Sequence, residues 1–210
     1  MKNFDLTLYL CTDRHWLGNM TLADAVERAI DGGATLVQLR EKDISTLDFL
    51  ESARTVQTVC RRHGVPLIIN DRIDIALAID AEGVHVGQDD MPCAIARRIL
   101  GEDKVIGVSV HTLEEAKRAI EDGADYIGIG AVFMTSTKQV SRAMTKDEVL
   151  NILENADIPA CAIGGIDEET GPGLAGLGLD GIAVISSILS RPDITEAARR
   201  MRDVAEMIIG

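Results

Sequence analysis

Short apolar runs recur along the chain, each followed by a stretch in which apolar residues return every three or four positions. The runs are Leu6 to Thr12, Ala34 to Leu39, Val65 to Ile69, Gly83 to Val86, Lys104 to Ser109, Asp125 to Gly130, Ile158 to Ile163 and Asp180 to Ile185. Their brevity and β-branched content predict strands. The intervening stretches carry helix signals. Asn19 or Thr21 can cap a helix through Ala23, Val26, Ala29 and Ile30 that ends at Gly32-Gly33. Ser45 or Thr46 opens a long helix to His63, stopped by Gly64 with Pro66 beyond. A short helix is expected over Ile73 to Ile79, and another from Pro92 to about Leu100, before Gly101. Thr112 with Glu115 forms a capping box, and a further helix starts near Thr145. A helix of weaker pattern is expected around Asp167 to Leu177, interrupted by Gly171, Pro172 and Gly173; Ile194 to Ile209 is the closing helix, with Thr195 near its start.

Eight strand–helix pairs at spacings of roughly 20 to 30 residues predict an α/β protein with a parallel sheet. Eight is the number that closes a (β/α)₈ TIM barrel, and the composition shows no break, so one domain spanning residues 1–210 is expected. An open doubly wound sheet is the alternative. It is disfavoured because no G-x-G-x-x-G follows the first strand and because polar residues are spread over many strand ends.

Composition narrows the functional classes. With 46% apolar and 26% charged residues the chain has the profile of a globular protein, and no run of about 18 apolar residues is present, so no membrane partner is expected. The N-terminus lacks the apolar core of a signal peptide, which favours the cytoplasm. A net charge of −13 argues against nucleic acid as a partner. The same charge repels phosphorylated ligands at long range, so Arg, Lys or a divalent cation must reverse the potential at any phosphate site. Cys11, Cys60, Cys93 and Cys161 are scattered without C-x-x-C or metal-ligand spacing, and free buried thiols are expected.

The candidate chemistry lies where the strands end, since a barrel of this kind carries its site at the carboxyl ends of its strands. The second strand runs into Gln38-Leu39-Arg40-Glu41-Lys42. Strand alternation puts Gln38, Arg40 and Lys42 on one face and Val37 and Leu39 on the other, an arrangement suited to clamping a phosphorylated ligand. A solvated charged loop is the plainer alternative. Strand three ends in Asn70 and Asp71, strand four in Gln88, Asp89 and Asp90, and strand five in Ser109. Strand six leads to Thr135-Ser136-Thr137-Lys138, while strands seven and eight end in Gly164-Gly165 and Ser186-Ser187.

Asp71 and Asp90 can meet across neighbouring strands. They are either two helix-capping aspartates or, with Arg40, Lys42 and Lys138 nearby, the carboxylates of a magnesium–diphosphate site. Gly164-Gly165 with Ser186-Ser187 suits a second anion site, because loops seven and eight often bind phosphate in this fold. Gly107, Gly128 and Gly130 either leave room for a flat ring or serve packing in a small barrel. Among the histidines, His63 ends a helix, His15 lies in a loop and His85 is an interior imidazole; His111 is the candidate acid or base.

Taken together these residues resemble the thiamine-phosphate synthase family. The similarity runs through Gln38-Leu39-Arg40-Glu41-Lys42, Ile69-Asn70-Asp71-Arg72, Gly83 to Asp90, Gly107-Val108-Ser109, Gly128 to Phe133, Thr135 to Lys138, Ala162 to Ile166 and Val184-Ile185-Ser186. Ala131 and Met134 stand where the family usually has proline. The resemblance implies a transferase of thiamine biosynthesis that joins an aminopyrimidine methyl diphosphate to a thiazole phosphate and releases diphosphate. It implies that Gln38, Leu39, Arg40, Glu41, Lys42, Asn70, Ser109 and Lys138 hold the pyrimidine diphosphate. Asp71 and Asp90 are then the ligands of Mg²⁺, and Thr135, Ser136, Thr137, Gly165, Ile185 and Ser186 hold the thiazole phosphate. The implied mechanism is dissociative, with Arg40 and Lys138 as the catalytic cations that stabilise the departing charge. The implied partners are two phosphorylated small molecules, in a chain free to form a homo-oligomer. The alternatives are a thiazole tautomerase of the same family, which needs no diphosphate clamp, and a non-catalytic binder of thiamine phosphate.

Overall fold

The computed structural model describes residues 4–135 and 142–210. Strands β1 (Leu8–Cys11), β2 (Leu36–Leu39), β3 (Leu67–Asn70), β4 (Gly83–Val86), β5 (Val105–Val110), β6 (Tyr126–Gly130), β7 (Ala160–Ile163) and β8 (Gly181–Val184) pair in sequence order. All pairs are parallel, and β8 returns to β1, with Leu8 opposite Ile182, so the sheet closes as the expected barrel. Helices α1 (Leu22–Asp31), α2 (Thr46–His63), α3 (Ile73–Ile79), α4 (Cys93–Leu100), α5 (Leu113–Glu121), α6 (Lys146–Leu153), α7 (Ser186–Leu189) and α8 (Ile194–Ile209) surround it. Among the described residues no helix is long and apolar enough to cross a membrane.

Each strand is buried on both faces, which is why the strands read as near-continuous apolar runs rather than as alternation. One face of every strand joins the large core under the helices, through residues such as Leu10, Leu39, Ile69, Val86, Ile129 and Val184. The other face fills the barrel with Tyr9, Cys11, Leu36, Ile68, Val105, Tyr126, Cys161 and Ala183. Helix ends follow the expected chemistry. Thr21, Ser45 and Thr145 accept from backbone N–H groups of their first turns, and Gly64 closes α2 in the left-handed conformation at φ 69°.

Three local expectations are corrected. Thr112 caps α5, but the Glu115 carboxylate takes the N–H of His111 at 2.7 Å, so only half of the expected box forms there. The complete box is at Thr145 and Glu148. The stretch 167–177 yields only a 3₁₀ turn, Gly171–Leu174, because Asp167 Oδ1 takes the N–H groups of Glu169 and Thr170 and turns the chain first. After β8 an extra turn, α7, begins at Ser186; α8 is capped by Asp193, with Thr195 in its first turn.

Candidate active site

A cavity of about 160 Å³ opens at the carboxyl ends of the strands. Gln38, Arg40, Asn70 and Ser109 line it from β2, β3 and β5; Thr135, Gly165, Ile185 and Ser186 line it from the loops after β6, β7 and β8. Residues assigned from sequence to each of the two anion sites thus share one cavity. His111 also lines it, with Nδ1 at 3.1 Å from Glu115 Oε2.

Register explains which residues of the second strand's run reach the cavity. Gln38 points into the barrel, while Leu39 is fully buried under the helices. Arg40 is held at its backbone: the buried Thr12 hydroxyl accepts its N–H at 3.0 Å. Its guanidinium lies 3.5 Å from Asp13 Oδ2. The Glu41 carboxylate turns away to Arg14 Nε, at 2.7 and 2.8 Å, and Arg14 also donates to Ser52. Leu39 and Glu41 therefore brace the strand end rather than line the cavity. Lys42 bends to the rim, where Nζ lies 2.7 Å from Asp71 Oδ2. Arg72 leaves the site for Asp74 and packs 5.8 Å over the Phe49 ring. Ser136, Thr137 and Lys138 lie outside the described residues.

Asp71 and Asp90 stand beside the cavity rather than in its lining. They are close enough to interact: burial first, then hydrogen bonding to Asp71, raises the Asp90 carboxyl above its ordinary value, against the N–H of Gly87 at 2.7 Å. Asp71 adopts φ 60°, an uncommon backbone for a non-glycine residue, which turns its side chain at the strand end. Two adjacent carboxylates make an oxygen donor set that suits a hard divalent cation. Among the described residues no group of three or more His, Cys, Asp and Glu side chains could hold a metal, so water and ligand oxygens would complete such a shell.

Glycine roles divide. A Cβ at Gly107 would overlap the Tyr126 ring and His85, so this glycine admits those side chains into the barrel. At Gly128 a Cβ would sit 3.3 Å from His85, facing the cavity it lines. Gly165 has φ 66°, and a Cβ there would overlap the Met134 carbonyl and Phe133, so both backbone and space require glycine. Ser186 lines the cavity, and Ser187 Oγ donates to the Ile166 carbonyl and ties loop eight to loop seven.

Sequence reasoning missed the polar floor of the cavity. Tyr9, Tyr126 and His85 are buried and hydrogen bonded to one another, with Gln38 at one end and Ser109 at the other. Tyrosines inside apolar strands look like ordinary core, and only the paired register shows that they meet. All four cysteines are free and buried. Burial pushes Cys11 and Cys60 up to about 12 and Cys93 up to about 11, which makes them inert thiols rather than nucleophiles.

A closed parallel barrel with amides, a guanidinium, glycines and hydroxyls gathered at the carboxyl ends of its strands defines a (β/α)₈ enzyme. The model of the thiamine monophosphate synthase family matches residues 8–188. A thiamine-phosphate synthase of Clostridium acetobutylicum is 52% identical over 206 residues, covering 98% of both chains. One from Methanobrevibacter smithii is 49% identical over 189 residues, or 90% of each chain. The solved thiamine phosphate pyrophosphorylase of Pyrococcus furiosus superposes with a TM-score of 0.89 at 37% identity, over 98% of each chain. The chain belongs to the thiamine monophosphate synthase family, as its strand-end motifs lead one to expect, and it is an enzyme of the transferase class.

Proposed function

We propose that this chain, acting as one catalytic domain over residues 1–210, joins an aminopyrimidine methyl diphosphate to a thiazole phosphate to give thiamine phosphate and diphosphate. The observation that supports this most is the convergence of both sets of motif residues on one cavity in a chain 52% identical to a thiamine-phosphate synthase over 98% of its length.

The reaction breaks one carbon–oxygen bond and forms one carbon–nitrogen bond. The bonding pair leaves with the diphosphate, and the thiazole nitrogen supplies a lone pair to the methylene carbon. No proton has to be removed from that nitrogen, so a cavity without a strong base suffices. Gln38, Asn70 and Ser109 hold the pyrimidine diphosphate on the side of β2, β3 and β5. Thr135, Gly165, Ile185 and Ser186 hold the thiazole phosphate on the opposite side, together with Ser136 and Thr137. Arg40 and Lys138 stabilise the departing diphosphate, an electrostatic contribution realised as the bond breaks. Lys42 and Asp71 hold the rim between β2 and β3. Asp71 and Asp90 would hold Mg²⁺, which when bound supplies positive charge to a diphosphate leaving group.

The test is to incubate the purified protein with both substrates, with and without Mg²⁺. Formation of thiamine phosphate and diphosphate in equal amounts, dependent on Mg²⁺, is expected. Isomerisation of a thiazole alone would instead mark a tautomerase, and thiamine phosphate binding without turnover would mark a non-catalytic binder.

A further inference from the structure

Five polar side chains from five strands form one unbroken chain across the barrel floor. Gln38 Nε2 on β2 donates to Tyr9 Oη on β1 at 2.7 Å, and Tyr9 Oη lies 2.7 Å from Tyr126 Oη on β6. Tyr126 Oη lies 2.9 Å from His85 Nδ1 on β4, and His85 Nε2 lies 2.8 Å from Ser109 Oγ on β5. The ends of this chain, Gln38 and Ser109, both line the cavity. Ser109 is also fixed at its backbone, where Gln88 Nε2 donates to its carbonyl at 2.8 Å.

The protons along such a chain are not independent. An amide nitrogen can only donate, so Tyr9 accepts from Gln38 and has its own proton left for Tyr126. Burial raises both phenols well above their ordinary value, so each carries its proton. Tyr126, having accepted from Tyr9, passes its proton to His85 Nδ1. A neutral imidazole has one N–H, and with Nδ1 accepting, that N–H is on Nε2 and points at Ser109. Ser109 Oγ then accepts from His85, and its hydroxyl proton is left for the cavity. The reverse order would direct the Tyr9 proton against the Gln38 amide nitrogen, which cannot accept it.

We propose that Tyr126 is a positioning residue that, through the Nε2–H tautomer of His85, sets Ser109 as a hydrogen-bond donor to an acceptor atom of the pyrimidine diphosphate. Tyr9 and Gln38 fix the sense of the chain from its far end. The role of Ser109 rests on the function proposed above; the proton order does not. Gly107 is part of the device, since any side chain there would displace both Tyr126 and His85.

The test joins spectroscopy to kinetics. In ¹⁵N-labelled protein without substrates, two-bond proton–nitrogen spectra should show His85 as the Nε2–H tautomer. In Tyr126→Phe, which keeps the ring and removes the hydroxyl, the Nδ1–H tautomer should become populated. The same variant should lose about three- to tenfold in kcat/KM for the pyrimidine diphosphate, the scale of one net hydrogen bond. The KM of the thiazole phosphate should stay within about twofold, a split that general loosening of the barrel would not produce. In a Ser109→Ala background, Tyr126→Phe should add little further loss, because its effect runs through the missing hydroxyl. If Tyr126→Phe does not fold, Tyr9→Phe tests the same order one link further away and should also populate the Nδ1–H tautomer. An Nδ1–H tautomer in the unaltered protein overturns the proposal. So does a tautomer unmoved in whichever variant folds, or a kinetic loss that is fully additive with Ser109→Ala. Absence of synthase activity in the unaltered protein would sink the functional reading and leave the tautomer result standing.

Discussion

Lys42 Nζ lies 2.7 Å from Asp71 Oδ2, so a side chain assigned to the diphosphate clamp neutralises one assigned to the metal. The pair bridges the end of β2 and the loop after β3, and the lysine is half exposed, with 51% of its side-chain surface accessible. An ion pair this open is worth on the order of 1 kcal/mol or less. Lys42 and a divalent cation therefore compete for Asp71 in the substrate-free protein, while both favour a bound diphosphate. Lys42→Met should tighten Mn²⁺ or Mg²⁺ binding to the substrate-free protein by up to about fivefold. It should also raise the KM of the pyrimidine diphosphate. Weaker metal binding in this variant would show that the lysine supports the carboxylate rather than competing for it.

The other carboxylate gives a second prediction. Asp90 is pushed up by burial and by its neighbour Asp71, a cost that a bound cation removes. Asp90→Asn keeps the shape, and its amide oxygen can accept the Gly87 N–H as the carboxylate does at 2.7 Å. The variant should stay folded and lose most of its turnover at low Mg²⁺, with partial recovery at high Mg²⁺. Full activity at limiting Mg²⁺ would remove Asp90 from the metal site.

Gly165 separates the two halves of the cavity. Its φ of 66° and the overlap of any Cβ with the Met134 carbonyl mean that Gly165→Ala must shift the loop after β7. That loop is tied to loop eight by Ser187, so Ile185 and Ser186 should move with it. Steady-state kinetics should show the thiazole phosphate KM rising by about tenfold or more, while the pyrimidine diphosphate KM changes little. Equal rises in both would mean that the two ligands do not divide the cavity in this way.

What was legible in the sequence was local. Thr21, Ser45 and Thr145 announce their helices because a cap and its partner lie three residues apart. The strand-end motifs were legible because a barrel always gathers its strand ends in one place. Long-range partners were not. The buried Glu41 finds Arg14, 27 residues earlier, and Tyr9 finds Tyr126, 117 residues away. Such contacts depend on register around the closed barrel, and a one-residue change of register would turn each side chain to the other face. For the same reason Leu39 and Glu41, inside the run that carries the motif, belong to its support, while Thr12, outside every motif, fixes the backbone of Arg40.

The thiols supply a prediction with a pH sign. Burial raises the Cys11 and Cys60 pKa to about 12 and that of Cys93 to about 11. At pH 8 the thiolate fraction of the folded protein is then about 10⁻³ to 10⁻⁴, against roughly a tenth or more for an exposed cysteine. Because the folded values are raised, stability is intact below the ordinary thiol value and falls as pH rises from there toward about 12. A thiol-specific chromogenic reagent at pH 8 should react slowly with the native protein and rapidly with all four cysteines in denaturant. Cys93 should react first. A fast native reaction at Cys11 would show that the cavity floor is open to solvent.

Arg40 decides whether the clamp binds or catalyses. Its side chain is three-quarters buried, with 24% of its surface accessible, and its guanidinium lies 3.5 Å from Asp13 Oδ2, a long contact that leaves charge for a ligand. A charge that stabilises the departing diphosphate is worth more as the bond breaks than in the ground state, so its loss falls on kcat. Removing one such stabiliser costs about 10²–10³ in rate. Arg40→Met should therefore depress kcat by about that factor, with a smaller rise in the pyrimidine diphosphate KM. Arg40→Lys keeps the charge but loses the planar fork, and should retain intermediate activity. Thr12→Val, which removes the hydroxyl that fixes the Arg40 backbone, should shift the same parameters in the same direction by less. If Arg40→Met raises KM alone and leaves kcat intact, Arg40 only collects substrate, and stabilisation of the leaving group falls to the metal and Lys138.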